Sequence, residues 1–325
     1  MGFREEEVGI PQANEILVET LYTGISHGTE MLVYRGEVAP GLELDPSLKT
    51  FKGCFGFPIK YGYSNVGRII ELGSRVSGLR KGDIVFAHNP HETIYTISEN
   101  QAMKLPEAVL PSWGIFIASV ETAINCVWDA NIHLGESVVI FGQGIIGLLI
   151  TQLMRISGAG RIFTVDKLEK RRNISQKLGA DFAFDPNKAN LPSVITELTD
   201  GIGADVIIEA SGSPDALDSA LKLAAFQGTV VVVSWYGTKP VTLNLGEDFH
   251  RERVKIKSSQ VSFVDPSLTP RWNIGRRMAL ALKILPQLNL KELISHIYPF
   301  EEAPSAYDKI DKNPEEVLQV ILRYV

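Results

Sequence analysis

The chain has 325 residues, 45% of them apolar and 22% charged, with a formal net charge of −6. That length supports two domains with separate cores, and the acidic balance argues against a nucleic-acid groove or a membrane-surface patch as its main business. The two cysteines, Cys54 and Cys126, stand far apart. They match no metal spacing, ask for no disulfide framework and suit a cytoplasmic chain.

The opening "MGFREEEVGIPQ" has no apolar core of signal-peptide length. To about residue 113, "EILVETLYTGI", "VGRIIELGS", "GDIVFAH" and "ETIYTIS" are β-branched and aromatic runs between Gly and Pro, without long helical patterns after them. They predict an antiparallel or barrel-like unit. From about Glu121 the rhythm changes: "SVVIF", "RIFTVD", "ADVIIEAS" and "GTVVVVSW" alternate with helical stretches of about a dozen residues, as βαβ units of a parallel sheet do. The most apolar run is broken by Gly142, Gln143, Gly144 and Gly147, so a membrane span is not expected. After about Ser259 the alternation stops. "RWNIGRRMALALKIL" reads as an amphipathic helix, "SHIYPF" and "VLQVILRYV" as strands. The predicted class is α/β, with a β-rich unit over residues 1–117, a doubly wound parallel sheet over 118–258 and a return segment over 259–325.

"VVIFGQGIIG" places Gly142, Gly144 and Gly147 in G-x-G-x-x-G spacing between a strand and a helix. The first glycine permits a tight turn, the second lets backbone approach a pyrophosphate, and the third allows close helix–strand packing. The amides of Ile145, Ile146 and Gly147 then open a helix N-terminus, a ready anion site. A second strand ends at Asp166, about 20 residues on, where a carboxylate can take both ribose hydroxyls. This is the Rossmann signal for a nicotinamide dinucleotide. Asp166 repels a 2′-phosphate and so favours NAD over NADP, although Lys167, Lys170, Arg171 and Arg172 just beyond could attract one. Ser211 and Gly212 in "ASGSP", and Ser234, Trp235 and Tyr236 in "SWYG", follow later strands. Such carboxyl-end loops are where an open α/β sheet puts its ligand.

In these motifs the sequence resembles the medium-chain dehydrogenase/reductases, the zinc alcohol dehydrogenase superfamily. "GISHGTEMLVYRG", "PIKYGYSNVGRIIELGSRVSGLRKGDIVF", "ETAINCVWDANIHLGESVVIFGQGIIG" and "LGADFAFDP" carry the likeness along nearly the whole chain. The resemblance implies a GroES-like catalytic domain, built from the N-terminal part and the return segment, beside a Rossmann domain. It also implies a small-molecule substrate and a homodimer paired through "RVKIKSSQ". Zinc-dependent members carry "GIC-GTD", "GHE" and a later Cys or Glu. Here Ser26 or His27 stands for the cysteine, "GYS" (Gly62, Tyr63, Ser64) for "GHE", and the third ligand falls near Ala118; the four-cysteine lobe is absent. Zinc wants about four converging N, S or O ligands, so no zinc is expected. A site rebuilt from His27, Glu30, His88 or His91 is the rival. The "GIS-x-GTE" and "GY-x-x-VG" motifs look closest to the bacteriochlorophyllide hydroxyethyl dehydrogenase-like group, which suggests alcohol–ketone chemistry on a polyol, sugar-like or ring alcohol.

Without zinc a side chain must hold or move the proton at the reacting oxygen. Tyr63 is the first candidate, with space-filling as the plain alternative. His27 and Glu30 come next, with Thr29 as a stand-in relay hydroxyl and Glu121 at the start of the crossing helix as a further acid. His88 and His91 read as loop or pocket lining. His250, Arg251, Arg271 and Arg276 could bring a cation toward pyrophosphate or an anionic substrate, whereas Arg277 reads as solvated. Quinone or enone reduction, and a dinucleotide-binding protein without turnover, are the competing functions.

Overall fold

The structure, a computed structural model, describes residues 1–44 and 53–324. It divides into two compact units, Met1–Ala118 with Leu280–Val325, and Ser119–Ala279. The first begins with β1 (Glu15–Ile25), α1 (Thr29–Tyr34), β2 (Asn65–Leu72), β3 (Ile84–Ala87), β4 (Ile94–Ser98), β5 (Ala102–Lys104) and α2 (Pro111–Gly114). β1 pairs antiparallel with both β2 and β4, and the ladder continues from β2 through β3 to β5. Period-two alternation sends Ile16, Val18, Ile69, Val85, Tyr95 and Ile97 into one core. The β-rich reading of this stretch follows from that alternation.

The second unit takes in most of α3 (Ile117–Ala130), then β6 (Ser137–Phe141), α4 (Ile145–Ile156), β7 (Arg161–Val165), α5 (Glu169–Lys177), β8 (Phe182–Phe184) and α6 (Leu191–Leu198). It continues through β9 (Ala204–Glu209), α7 (Pro214–Leu221), β10 (Ala224–Val232), α8 (Asp248–Arg251), β11 (Lys255–Ser258) and the first part of α9 (Ile274–Ile284). The parallel strands lie in the order β11-β10-β9-β6-β7-β8. The order reverses between β6 and β9, the switch point of a doubly wound sheet. Val138, Val139, Ile140, Ile207 and Ile208 are fully buried, as strands covered on both faces must be.

The chain then returns to the first unit with β12 (Ile294–Pro299), α10 (Ala303–Lys312) and β13 (Gln319–Arg323). β13 pairs antiparallel with β1 and parallel with β12. α10 buries Ala303, Ala306, Tyr307 and Ile310, a helical stripe hidden in a stretch that reads as polar. Among the described residues no helix is long and apolar enough to cross a membrane.

Two expectations need correction. The return to the first unit begins at Leu280, not at 259. Residues 259–279 stay with the second unit because side chains tie them to α3. Trp272 packs on Trp128 with ring centroids 4.6 Å apart, and Lys257 joins Asp129 to Asp265 at 3.3 and 2.6 Å. Arg277 is the second correction. Instead of being solvated it is 1% exposed, donating from Nε and Nη2 to Glu121 Oε1 at 3.0 and 2.9 Å. Its remaining donors go to Asn125 Oδ1 and to the Val261 and Phe263 carbonyls. A guanidinium this deep is tolerable only when all its donors are satisfied.

Candidate active site

In the first unit the polar centre is Glu30, at the first turn of α1 with a side chain 1% exposed. Its Oε1 accepts from the Ser26 amide at 2.9 Å. Its Oε2 accepts from the Tyr307 hydroxyl at 2.5 Å and lies 2.8 Å from His91 Nε2. A carboxylate has only acceptors, so His91 Nε2 carries the hydrogen of that bond. His91 Nδ1 is 2.7 Å from Thr23 Oγ1, which is 3.1 Å from the Tyr324 hydroxyl. The histidine that Glu30 takes is therefore His91, not its sequence neighbour His27. His88 turns elsewhere, its Nδ1 lying 3.1 Å from the Tyr63 carbonyl, so the H-x-x-H pair does not converge.

Gly62 admits this arrangement. Its φ is +111°, and a Cβ there would lie 2.5 Å from His91 Cδ2 and 2.6 Å from Nε2. Only a residue without a side chain leaves room for the imidazole. Next to it, half-buried Tyr63 packs against Leu32, Val33, Val38, Leu44 and Phe55. Burial and the Glu30 charge push its phenol up to about 12, while hydrogen bonds with Ser26 and Thr29 pull it back. Tyr307 is pushed well above the usual tyrosine range by burial and by Glu30. The structure thus brings Tyr63, Thr29, Ser26 and Glu30 together, and adds His91 and Tyr307. Glu121 is engaged by Arg277; burial raises its pKa against the pull of that cation.

In the second unit the glycine turn has a cradle's shape. Gly142 has φ +85°, and a Cβ on it would meet Ser211 Cα at 2.6 Å. A Cβ on Gly147 would strike the Gly142 carbonyl oxygen at 1.8 Å. At Gly144 the nearest atom to such a Cβ is Arg171 Nη1, 3.9 Å away, so the space over the turn is open. α4 starts there with no side-chain cap, leaving the amides of Ile145, Ile146 and Gly147 for an anion. Gln143 is fully buried, accepting from Thr151 Oγ1 at 3.1 Å, and stiffens the turn. Asp166 accepts from the Gln143 and Leu168 amides at 2.7 and 2.8 Å, and each oxygen keeps a lone pair for a hydroxyl. These residues fit a dinucleotide. Of the nearby cations, Lys167 is exposed and Arg172 is held by the Asp166 and Lys167 carbonyls. Arg171 lies over the turn, its pKa lowered by burial against the pull of Asp166. Arg276 stacks 3.9 Å above Trp272.

The loops after β9 and β10 are joined by Glu209. It is fully buried and accepts from Ser211 N, Ser211 Oγ, Gly212 N and Tyr236 Oη at 2.7, 2.5, 3.1 and 2.7 Å. Ser234 Oγ accepts from the Gly212 amide at 2.9 Å, and Trp235 is 38% exposed beside it. Sequence reasoning missed Glu209, Tyr307, Thr23 and Gln143. An acid closing the apolar run "DVIIE" was the available signal for the first. The others become visible only once the chain is folded.

Zinc is a different matter. At the positions that the resemblance assigns to the ligands stand Ser26 or His27, Tyr63 and Ala118. Among the described residues no group of three or more His, Cys, Asp or Glu side chains could hold a metal. The residues present do not fit a tetrahedral zinc site.

A family model described as zinc-binding dehydrogenase matches residues 146–269. The chain is 31% identical to D-guloside 3-dehydrogenase of Escherichia coli (strain K12) over 326 residues, covering 95% of this chain and 92% of that one. It is 25% identical over 355 residues to D-arabitol-phosphate dehydrogenase of Enterococcus avium, covering 95% and 94%. Among solved structures, a dehydrogenase from Sinorhizobium meliloti 1021 bound to NADP superposes with a TM-score of 0.80 at 20% identity, covering 98% and 95%.

Proposed function

Because the chain belongs to the medium-chain dehydrogenase/reductase superfamily, of the zinc alcohol dehydrogenase-like kind, we propose that it is a zinc-independent, NAD-linked enzyme interconverting a secondary alcohol and a ketone. The substrate is a polyol, a sugar-like compound or a ring alcohol, and the dehydrogenases of guloside and arabitol phosphate among its relatives support that class. The zinc-independent part rests on Ser26 or His27, Tyr63 and Ala118 standing at the positions that the resemblance assigns to the ligands, and on the absence, among the described residues, of three or more His, Cys, Asp or Glu side chains that could hold a metal. The NAD part rests on Asp166, whose carboxylate repels a 2′-phosphate. Asp166, the amides of Ile145, Ile146 and Gly147, and the loops holding Ser211, Gly212, Ser234, Trp235 and Tyr236 form the cofactor site. Bound NAD(H) supplies the hydride acceptor or donor.

The observation that carries the reading is Tyr63. Its phenol stands at the position that the resemblance assigns to a metal ligand, close enough to Ser26, Thr29 and Glu30 for all three to act on its pKa. At about 12 its pKa keeps the proton on at neutral pH. The phenol remains a stronger acid than an alcohol, so it donates to the alkoxide formed on ketone reduction. As a base it is weak, and this favours reduction over oxidation. His91 and Tyr307 hold the Glu30 carboxylate in place. The protein acts in the cytoplasm as a homodimer paired through β11, which forms one end of the parallel sheet.

The test combines metal analysis, NADH and NADPH titration and a screen of ketoses and cyclic ketones. The expected result is under about a tenth of an equivalent of zinc, tighter NADH than NADPH binding, and NADH oxidation with a ketone. A full equivalent of tightly held zinc, or turnover with quinones alone, overturns the proposal. Sedimentation at micromolar concentration tests the dimer.

A further inference from the structure

Glu209 ends β9 inside the second unit, 0% exposed. Buried carboxylates are ordinarily paired with a cation. Here the four donors are two backbone amides, a serine hydroxyl and a tyrosine hydroxyl. All are neutral, and among the described residues no cation pairs with Glu209. Hydrogen-bond dipoles make the charge tolerable without cancelling it.

The placement of this charge follows from the topology. Asp166 ends the strand on one side of β6, and its carboxylate is the ribose-binding group. The glycine turn, at the end of β6 itself, takes the pyrophosphate. A dinucleotide crossing the switch between β6 and β9 therefore carries its other half, the nicotinamide, over the carboxyl ends of β9 and β10. The Glu209 loop lies against the turn, since Ala210 N donates to the Phe141 carbonyl at 2.9 Å and Ser211 Cα blocks any Cβ on Gly142.

We propose that Glu209 is an electrostatic selector for the oxidation state of the nicotinamide. The ring is a cation in NAD⁺ and neutral in NADH; the phosphates and adenosine are the same in both. A fixed, uncompensated carboxylate at the ring's end of the crevice therefore stabilises bound NAD⁺ relative to bound NADH. Bound NADH becomes the stronger hydride donor, in accord with ketone reduction. This inference rests on the dinucleotide reading given above.

The experiment measures dissociation constants for NAD⁺ and NADH by calorimetry at pH 7, on the full chain and two variants. Glu209→Gln keeps the shape and removes the charge, and is expected to lower the NAD⁺-to-NADH affinity ratio by about tenfold, equivalent to about 1.4 kcal/mol. Tyr236→Phe removes one donor and keeps the charge, so its ratio should stay within about twofold of the parent's. An unchanged ratio in Glu209→Gln overturns the proposal, as does an equal fall in both variants. A measurement on the unmodified chain keeps the test independent of the variants' folding. Relative to ADP-ribose, the cationic ring is expected to strengthen binding more than the neutral one, and NADH binding about tenfold tighter than NAD⁺ overturns the proposal. Failure of the cofactor reading is distinct: the unmodified chain would then bind neither dinucleotide nor ADP-ribose.

Discussion

Replacing Gly62 by alanine tests the core of the first unit's site. The backbone at +111° disfavours any side chain, at a cost of about 1–2 kcal/mol. The new methyl also lies 2.5 Å from His91 Cδ2. The ring cannot retreat cheaply, because its nitrogens are held at 2.8 Å to Glu30 and 2.7 Å to Thr23. Overpacking of this kind adds about 1–3 kcal/mol, giving a total of about 3 kcal/mol. For a unit of this size each kcal/mol moves the melting temperature by about 2–4 °C, so a fall of about 10 °C is expected by scanning calorimetry. The discriminating measurement is a cycle with His91→Ala. Removing the ring leaves the backbone cost but abolishes the clash, so Gly62→Ala should cost about half as much in the His91→Ala background. An undiminished cost there would refute the clash and leave only the backbone.

Further outcomes follow from the same geometry. Tyr63→Phe should lower ketone turnover by about 10²-fold without changing NADH affinity; unchanged turnover would reduce Tyr63 to packing. Glu121→Gln leaves the buried Arg277 guanidinium facing a neutral amide and should cost about 3–5 kcal/mol, measured by urea unfolding. The apolar pair Glu121→Leu with Arg277→Met should recover most of that loss. Tyr63 and Tyr307 both have folded pKa values above the ordinary 10. Their contribution is fully present below pH 10 and is lost as pH rises through the folded values, because the folded state holds protons that the unfolded state has released. Stability should thus decline above pH 10, and less steeply in Tyr63→Phe; a flat profile to pH 12 would contradict the shift.

The sequence was most legible where chemistry and periodicity are local. β1 and β6 coincide with "EILVETLYTGI" and "SVVIF", and the turn at Gly142, Gly144 and Gly147 sits between strand and helix as its spacing demands. The helix Leu191–Leu198 and the stripe of α10 escaped because short amphipathic segments in polar company give weak signals. The partners in the first unit's site were harder still. Glu30 was singled out, yet His91 is 61 positions away from it and Tyr307 is 277 away; no pattern in one sequence links them. Arg277 misled for the same reason. Beside Arg276 on an amphipathic helix it resembles a solvated charge, and only Glu121, 156 positions distant, explains its burial.

The return of β13 to pair with β1 sets the order in which a nascent chain gains competence. The parallel sheet is complete once β11 has been made. The first unit at that moment lacks β12, α10 and β13, and Glu30 lacks Tyr307. A ribosome-bound chain therefore completes its parallel sheet well before the cluster around Glu30, which closes only when synthesis has passed Arg323.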